Sequence, residues 1–211
     1  METSQFDRSA GAWDEDPLKV RLASAVAETM IRRLRLNGSE TVLDYGAGTG
    51  LVSFRLLPHV SLVIAADTSQ EMLAVLAAKA ASAGTGAIEP TLWGIDQAWP
   101  DRPGLPRPDV VTASMVLHHV EDTSQAARAF HALLPPGGRI ALADLDLEDG
   151  SFHGGKMHAW HNGFSREALC AIFEEAGFES IRFDEACNVN KPGPDGQTRS
   201  YPVFLMTGRK L

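Results

Sequence analysis

Two carboxylates and a run of glycines are the residues best placed to do chemistry in this chain. Asp44 sits in a short apolar run, Val42-Leu43-Asp44-Tyr45, and Gly46-Ala47-Gly48-Thr49-Gly50 follows at once. Glycines let a backbone turn sharply and let a ligand approach it closely. A dinucleotide-binding turn requires GxGxxG. Here Leu51 stands at the third glycine position, and the pattern is GxGxG. Asp67 lies 21 residues after Gly46 and ends the next apolar run, Leu62 to Ala66. A carboxylate at that place can accept both hydroxyls of a ribose. Each aspartate alone reads equally well as a cap or turn residue. Together with the loop, the two make a poor cradle for pyrophosphate and a suitable one for a ligand with cationic groups.

The histidines are the second group. His118 and His119 follow the apolar run Asp109 to Ser114, and His153, His158 and His161 fall in the aperiodic stretch 146–164. A neutral imidazole takes up a proton near physiological pH. His118 is the candidate for that work, whereas His119 reads first as a packing residue. The three later histidines read as solvated loop residues. A metal held by these three with His118 is the weaker alternative: their spacing, with no cysteine or acidic neighbour to complete a ligand set, argues against an ion, and no metal site is expected.

Elements must hold these groups in place. Leu22, Val26, Met30 and Leu34 recur at helical spacing from Pro17, and Asn37-Gly38 is the expected stop. Buried strands are expected at 41–45, 62–66, 88–92, 109–114 and 139–145. Helices are expected at 51–57, behind the capping sequence Thr68-Ser69-Gln70-Glu71, from Asp122 to Leu134, and from Ser165 to Gly177. Residues 94–108, with four prolines, read as a loop. Two last strands, 178–184 and 201–207, have no helix between them and are expected to pair antiparallel across a loop through Pro192, Gly193, Pro194 and Gly196. Pro202 suits a strand start or an edge. Alternating strands and helices predict an α/β sandwich, a mostly parallel sheet with helices on both faces.

Composition sets the limits. At 211 residues the chain is about one domain, and its 44% hydrophobic and 22% charged content is ordinary globular usage. The formal net charge of -8 gives no bulk attraction for phosphate backbones, so nucleic acid is not an expected partner. Cys170 and Cys187 form no CxxC and no disulfide framework. The opening residues lack a basic and apolar leader, and no apolar stretch approaches the ~18 residues of a membrane span. A cytoplasmic chain without a membrane span is expected.

Val42 to Gly50 resembles motif I of the class I S-adenosylmethionine-dependent methyltransferases. Ala66-Asp67-Thr68-Ser69-Gln70-Glu71-Met72-Leu73 resembles the second-strand motif, Pro108 to Val120 the fourth-strand motif, and Leu133 to Arg139 the turn before the fifth strand. The likeness covers residues 40–145 and is nearest to the small-molecule enzymes of quinone biosynthesis. It implies a Rossmann-like sheet of seven strands in the order 3-2-1-4-5-7-6, strand 7 antiparallel. It implies S-adenosylmethionine as cofactor, S-adenosylhomocysteine as product and a small-molecule methyl acceptor. By the same resemblance Asp44 lies near the amino-acid end, and Gly46, Ala47, Gly48, Thr49 and Gly50 lie against the ligand. Asp67 takes the ribose, Thr68 and Met72 flank the adenine, Ile95 and Asp96 meet its edge, and Ser114 and Met115 form the floor. Residues 1–36, with Phe6 and Trp13, are expected to form a lid segment and helix over a domain at 37–211. Phe152 and Trp160 are expected in the acceptor wall. A non-catalytic protein that binds the same cofactor is the alternative; a nicotinamide oxidoreductase is disfavoured by Leu51. The oligomeric state stays open.

Overall fold

The computed structural model describes residues 4–154, 158–192 and 197–211. Seven strands make one sheet: β1 (Thr41–Tyr45), β2 (Leu62–Asp67), β3 (Ile88–Leu92), β4 (Val110–Ser114), β5 (Arg139–Leu145), β6 (Phe178–Pro192) and β7 (Thr198–Lys210). Their order is β3-β2-β1-β4-β5-β7-β6. The first five run parallel, and β7 is antiparallel to both β5 and β6. The expected sheet is therefore present in order and direction.

The central strands are apolar at nearly every position because both faces are covered. Side chains alternate across a strand. Val42, Val63, Val110 and Ala141 face one buried cluster, while Leu43, Ile64, Val111 and Ile140 face the other. The first cluster is closed by α2 (Pro17–Leu34), α3 (Ser53–Leu56) and α4 (Gln70–Ser82), through Met30, Leu56 and Leu76. The second is closed by α5 (Thr123–Leu133) and α6 (Arg166–Glu175), through Phe130 and Phe173. Side-chain caps set the helix starts: Asp16 accepts from Leu18 N–H, Ser69 from Met72, Asp122 from Gln125 and Ser165 from Ala168.

Four boundaries differ from the sequence expectation. The polar lead-in is helical, as α1 (Ser4–Ser9) and a 3-10 turn at Ala10–Glu15. Helix α2 stops at Leu34, where Arg35 turns left-handed (φ 48°), ahead of Asn37-Gly38. The hairpin of β6 and β7 is longer than read, because Val189 and Tyr201 pair and are both buried; Gly193, Pro194 and Gly196 of the expected loop lie outside the described residues. Pro202 stands inside an interior strand. Its carbonyl accepts from Asp146 N–H, one residue beyond the end of β5. In an extended strand the N–H and C=O of a residue point the same way, so the missing N–H of Pro202 faces Asp146, just past the last β5–β7 pair, Leu145–Val203.

Phe130 is fully buried and stacks edge-on to Tyr45, the residue between Asp44 and the glycine loop. Phe130→Ala should cost about 3–5 kcal/mol, read as a fall in the urea midpoint with an unchanged slope.

Candidate functional site

The strand ends that carry the expected residues meet in one cavity of about 140 Å³ at the carboxyl edge of the sheet. Strands β1, β2 and β4 bring Asp44, Asp67 and Ser114 to it. Such crevices are where open α/β sheets bind ligands.

The loop after β1 is shaped by crowding below and space above. Gly46 has φ +70°, and a Cβ there would lie 2.4 Å from Val116 Cγ2, so no other residue fits. Gly48, at φ +55°, faces open space, with Met72 Sδ at 4.0 Å the nearest heavy atom to a Cβ built there. The N–H groups of Gly46 and Ala47 both donate to Ala66 O, which ties the turn to the end of β2. Met115 follows β4 in the left-handed region at φ 57°. A non-glycine residue there stores ~1–3 kcal/mol of strain, a cost common at functional sites.

Asp44 is buried. Its Oδ2 accepts from Ser53 Oγ at 2.5 Å and its Oδ1 from Thr112 Oγ1 at 3.0 Å. Burial pushes its pKa up to about 6, against the pull of those two hydroxyls, and the neighbouring Asp67 adds to the rise. Asp67 is raised as well, again by burial first. Its Oδ2 accepts from Gly48 N–H and its Oδ1 from Ser69 N–H, both at 2.8 Å. Neither carboxylate has a cationic side chain within ion-pair distance among the described residues.

Gly46, Ala47, Gly48, Met72 and Met115 line the cavity along with Asp44, Asp67 and Ser114. Thr49, Gly50, Thr68, Ile95 and Asp96 are not among its lining residues. Asp96 and Thr68 instead come together over Gly94, whose Cβ would meet Asp96 Oδ1 at 2.7 Å and Thr68 Cγ2 at 3.1 Å. The structure puts His119, and not His118, on the cavity wall. His118 is 1% exposed, and its Nδ1 is 2.6 Å from Asp144 Oδ1. Burial, with His118 beside it, pushes His119 down to about 3. Phe152 is buried against Tyr201 and Trp160 is half exposed; neither lines the cavity.

Phe6 and Trp13 do line it, their ring centroids 6.0 Å apart, and Phe6 stands edge-on to His119. Sequence reasoning missed what fastens this segment. Lys79 Nζ reaches Asp14 Oδ2 at 2.6 Å and Thr49 O at 2.8 Å, while Thr49 Oγ1 donates to Asp14 Oδ1. Ser69 Oγ bonds Asp7 across the same gap. Asp144 was missed too, although an acid inside Ile140-Ala141-Leu142-Ala143-Asp144-Leu145 was a signal. Stretch 158–164 docks on the end of β4: Trp160 and His161 N–H donate to His118 O, and His119 Nδ1 donates to His158 O. Gly163 permits this, since a Cβ there would lie 2.2 Å from Asp146 O.

Asp44 makes the stability pH-dependent. Its folded pKa, about 6, stands above the ordinary 3.8. Its contribution is therefore full below pH 3.8 and is lost as pH rises through about 6. The stability of Asp44→Asn relative to the wild type should climb over that window and then level off. Urea midpoints taken across it check the point; a difference independent of pH contradicts a buried, uncompensated carboxylate.

A sequence profile described as "Methyltransferase domain" matches residues 19–182. The chain is 28% identical over 182 residues to an uncharacterised methyltransferase of Schizosaccharomyces pombe, covering 80% of this chain and 63% of that one. It is 31% identical to a ubiquinone biosynthesis O-methyltransferase of Xanthomonas euvesicatoria, over 71% of this chain and 64% of the other. It thus spans somewhat less than two thirds of these curated relatives. Among solved structures, the N-methyltransferase NodS of Bradyrhizobium japonicum in complex with S-adenosyl-L-homocysteine superposes with a TM-score of 0.71 at 15% identity, over 99% of this chain and 97% of that one. The strand order, the glycine turn and the profile match agree: the chain belongs to the methyltransferase-domain family.

Proposed function

We propose that this chain is an S-adenosylmethionine-dependent methyltransferase acting on a small molecule in the cytoplasm. One observation carries the reading. A buried carboxylate, Asp44, and a partly buried one, Asp67, neither with a cationic side chain within ion-pair distance among the described residues, flank a glycine turn in a cavity with mainly apolar walls, at the ligand-binding edge of the sheet. Such a cavity suits a ligand with an ammonium and a sulfonium, a ribose and an apolar stem. The relatives' names as methyltransferases and the neighbour bound to S-adenosyl-L-homocysteine support the same cofactor. When bound, S-adenosylmethionine supplies a methyl group on a positively charged sulfur and leaves as S-adenosylhomocysteine.

The chain's own residues then have defined work. Asp44 attracts the ammonium end. Asp67 retains lone pairs beyond its bonds to Gly48 and Ser69, and these accept the ribose hydroxyls. Gly46, Ala47 and Gly48 offer a wall without bulky side chains, and Thr49 and Gly50 complete the turn. Met72 and Thr68 flank the base, Ile95 and Asp96 border its edge, and Ser114 and Met115 support the stem. Phe6 and Trp13 cover the cavity and exclude water. Alignment of acceptor and sulfonium is worth up to ~7–11 kcal/mol of the barrier, so a general base is an addition to this and not its core. The catalytic part expected of His118 narrows to positioning, because its buried ring bears on His119 at 4.1 Å between centroids. The acceptor carries no nucleic acid backbone, in keeping with the charge of -8.

Titration calorimetry with S-adenosylhomocysteine tests the reading. The wild type should bind it. Asp67→Ala should bind at least about tenfold more weakly, since each charge-assisted bond is worth ~1.5–3 kcal/mol. Absence of binding by the wild type overturns the cofactor, and unchanged affinity in the variant overturns Asp67 as its anchor.

Deletion of residues 1–16 should weaken binding while circular dichroism shows the sheet intact. Equal affinity in the shortened chain would leave Phe6 and Trp13 without a covering role. Turnover of labelled cofactor with a cell-metabolite pool then separates an enzyme from a protein that only binds.

A further inference from the structure

Three imidazoles beside the cavity are arranged in a way that methyl transfer does not require. His118, His119 and His153 each place one ring nitrogen within 4.8 Å of the nitrogens of the other two. The ring centroids of His118 and His153 are 5.1 Å apart, and those of His119 and His153 are 5.3 Å apart. His118 Nε2 and His153 Nε2 are both buried and have no hydrogen-bond partner among the described residues. A buried polar atom without a partner is costly and calls for an explanation, an ion among them.

The outer contacts point the same way. His118 gives its Nδ1 to Asp144 at 2.6 Å, and His119 gives its Nδ1 to the backbone oxygen of His158 at 2.8 Å. Metal-bound histidines characteristically use the second nitrogen in this manner, toward a carboxylate or a carbonyl. The contact fixes the ring and leaves Nε2 as the ligand atom. Phe6 and Phe152 stand edge-on to His119 and His153 and wall the group with apolar surface. Four-coordinate Zn–N bonds of ~2.1 Å set nitrogens roughly 3.4 Å apart, so the rings need to close by on the order of 1 Å.

The geometry points to a transition-metal site of the zinc class, held by His118, His119 and His153, with Asp144 as positioning residue and the fourth coordination place open toward the cavity that His119 lines. Neutral nitrogen ligands suit Zn²⁺, Co²⁺ or Ni²⁺ and are poor ligands for Mg²⁺ or Ca²⁺. Three protein ligands with an open position are the pattern of sites that take a further ligand. This goes beyond the methyl-transfer reading and stands or falls independently of it.

The test uses the full chain without an affinity tag, stripped by chelator and then titrated with Zn²⁺ against a chromophoric competitor, and with Co²⁺ by visible absorption. Expected are one ion per chain and the intense bands of four-coordinate Co²⁺. His153→Ala should lose at least about a hundredfold in Zn²⁺ affinity. Asp144→Asn should lose about 10–100-fold. His131→Ala, which packs on Phe178 away from the cluster, should bind as the wild type does. Should substitution of buried His118 unfold the chain, His153, on a loop, still decides the matter, with circular dichroism confirming the fold. A wild type that takes up neither ion, or a His153→Ala variant that binds Zn²⁺ as tightly as the wild type, overturns the site. Loss of S-adenosylhomocysteine binding with Zn²⁺ binding retained would count against the methyltransferase reading and leave this one in place.

Discussion

A carboxylate held out of water at the end of β1 constrains everything around it. Asp44 is buried at a point where burial of an unpaired charge is costly. Two hydroxyls reduce that cost, one from the first residue of α3 and one from the middle of β4. Ser53 can reach only if the chain reverses sharply between Tyr45 and α3, which the left-handed Gly46, Gly48 and Gly50 allow. Thr112 can reach only if β4 pairs with β1 in its observed register, where Thr112 lies opposite Asp44. The glycine turn, the strand order and the position of α3 are thus parts of one solution to placing an acid there. The hydroxyls do not neutralise it, and its raised pKa records what is left over. Under the proposed function a cationic ligand would complete what the fold leaves unfinished.

Much of this was legible in the sequence because its cause is local. A β-rich run followed by GxGxG can hardly be anything but a strand and a tight turn. Ser69 and Ser165 announced their helices by cap chemistry, which needs only three residues. The sheet order came from a resemblance and not from periodicity, since periodicity cannot say which strands are neighbours. Of the thirteen cofactor-side residues expected, the eight nearest the glycine turn and the ends of β1, β2 and β4 line the cavity. The others sit on the turn's far side, just past the end of β2 at Thr68, or on the loop after β3, where spacing along the chain says little about direction.

What stayed hidden depends on contacts between residues far apart in sequence. Asp14 meets Lys79 and Thr49 across distances of 65 and 35 residues. Polar side chains in a polar lead-in gave no periodic signal for α1, yet Phe6 and Ala10 find apolar surface once the cavity exists. The choice between His118 and His119 turned on a direction. The two adjacent residues on the 3-10 turn keep their rings together, but an acid on β5 captures the first of them and only the second reaches the cavity wall. No reading of neighbouring letters resolves that.

The two margins of the sheet are unlike, and both are closed to further strands. On one side β3 carries Pro90 in its middle, so a donor is missing where an approaching backbone would need one. On the other side β6 is long but is interrupted by irregularities between Glu179 and Arg182 and between Glu185 and Cys187, and it carries charged side chains along its length. Long regular edges invite pairing with other chains, and bulges and charges are the features that discourage it. The sheet is therefore poorly suited to extending itself from molecule to molecule, and its protection against aggregation lies in the same margins that leave the ligand-binding end of the central strands open.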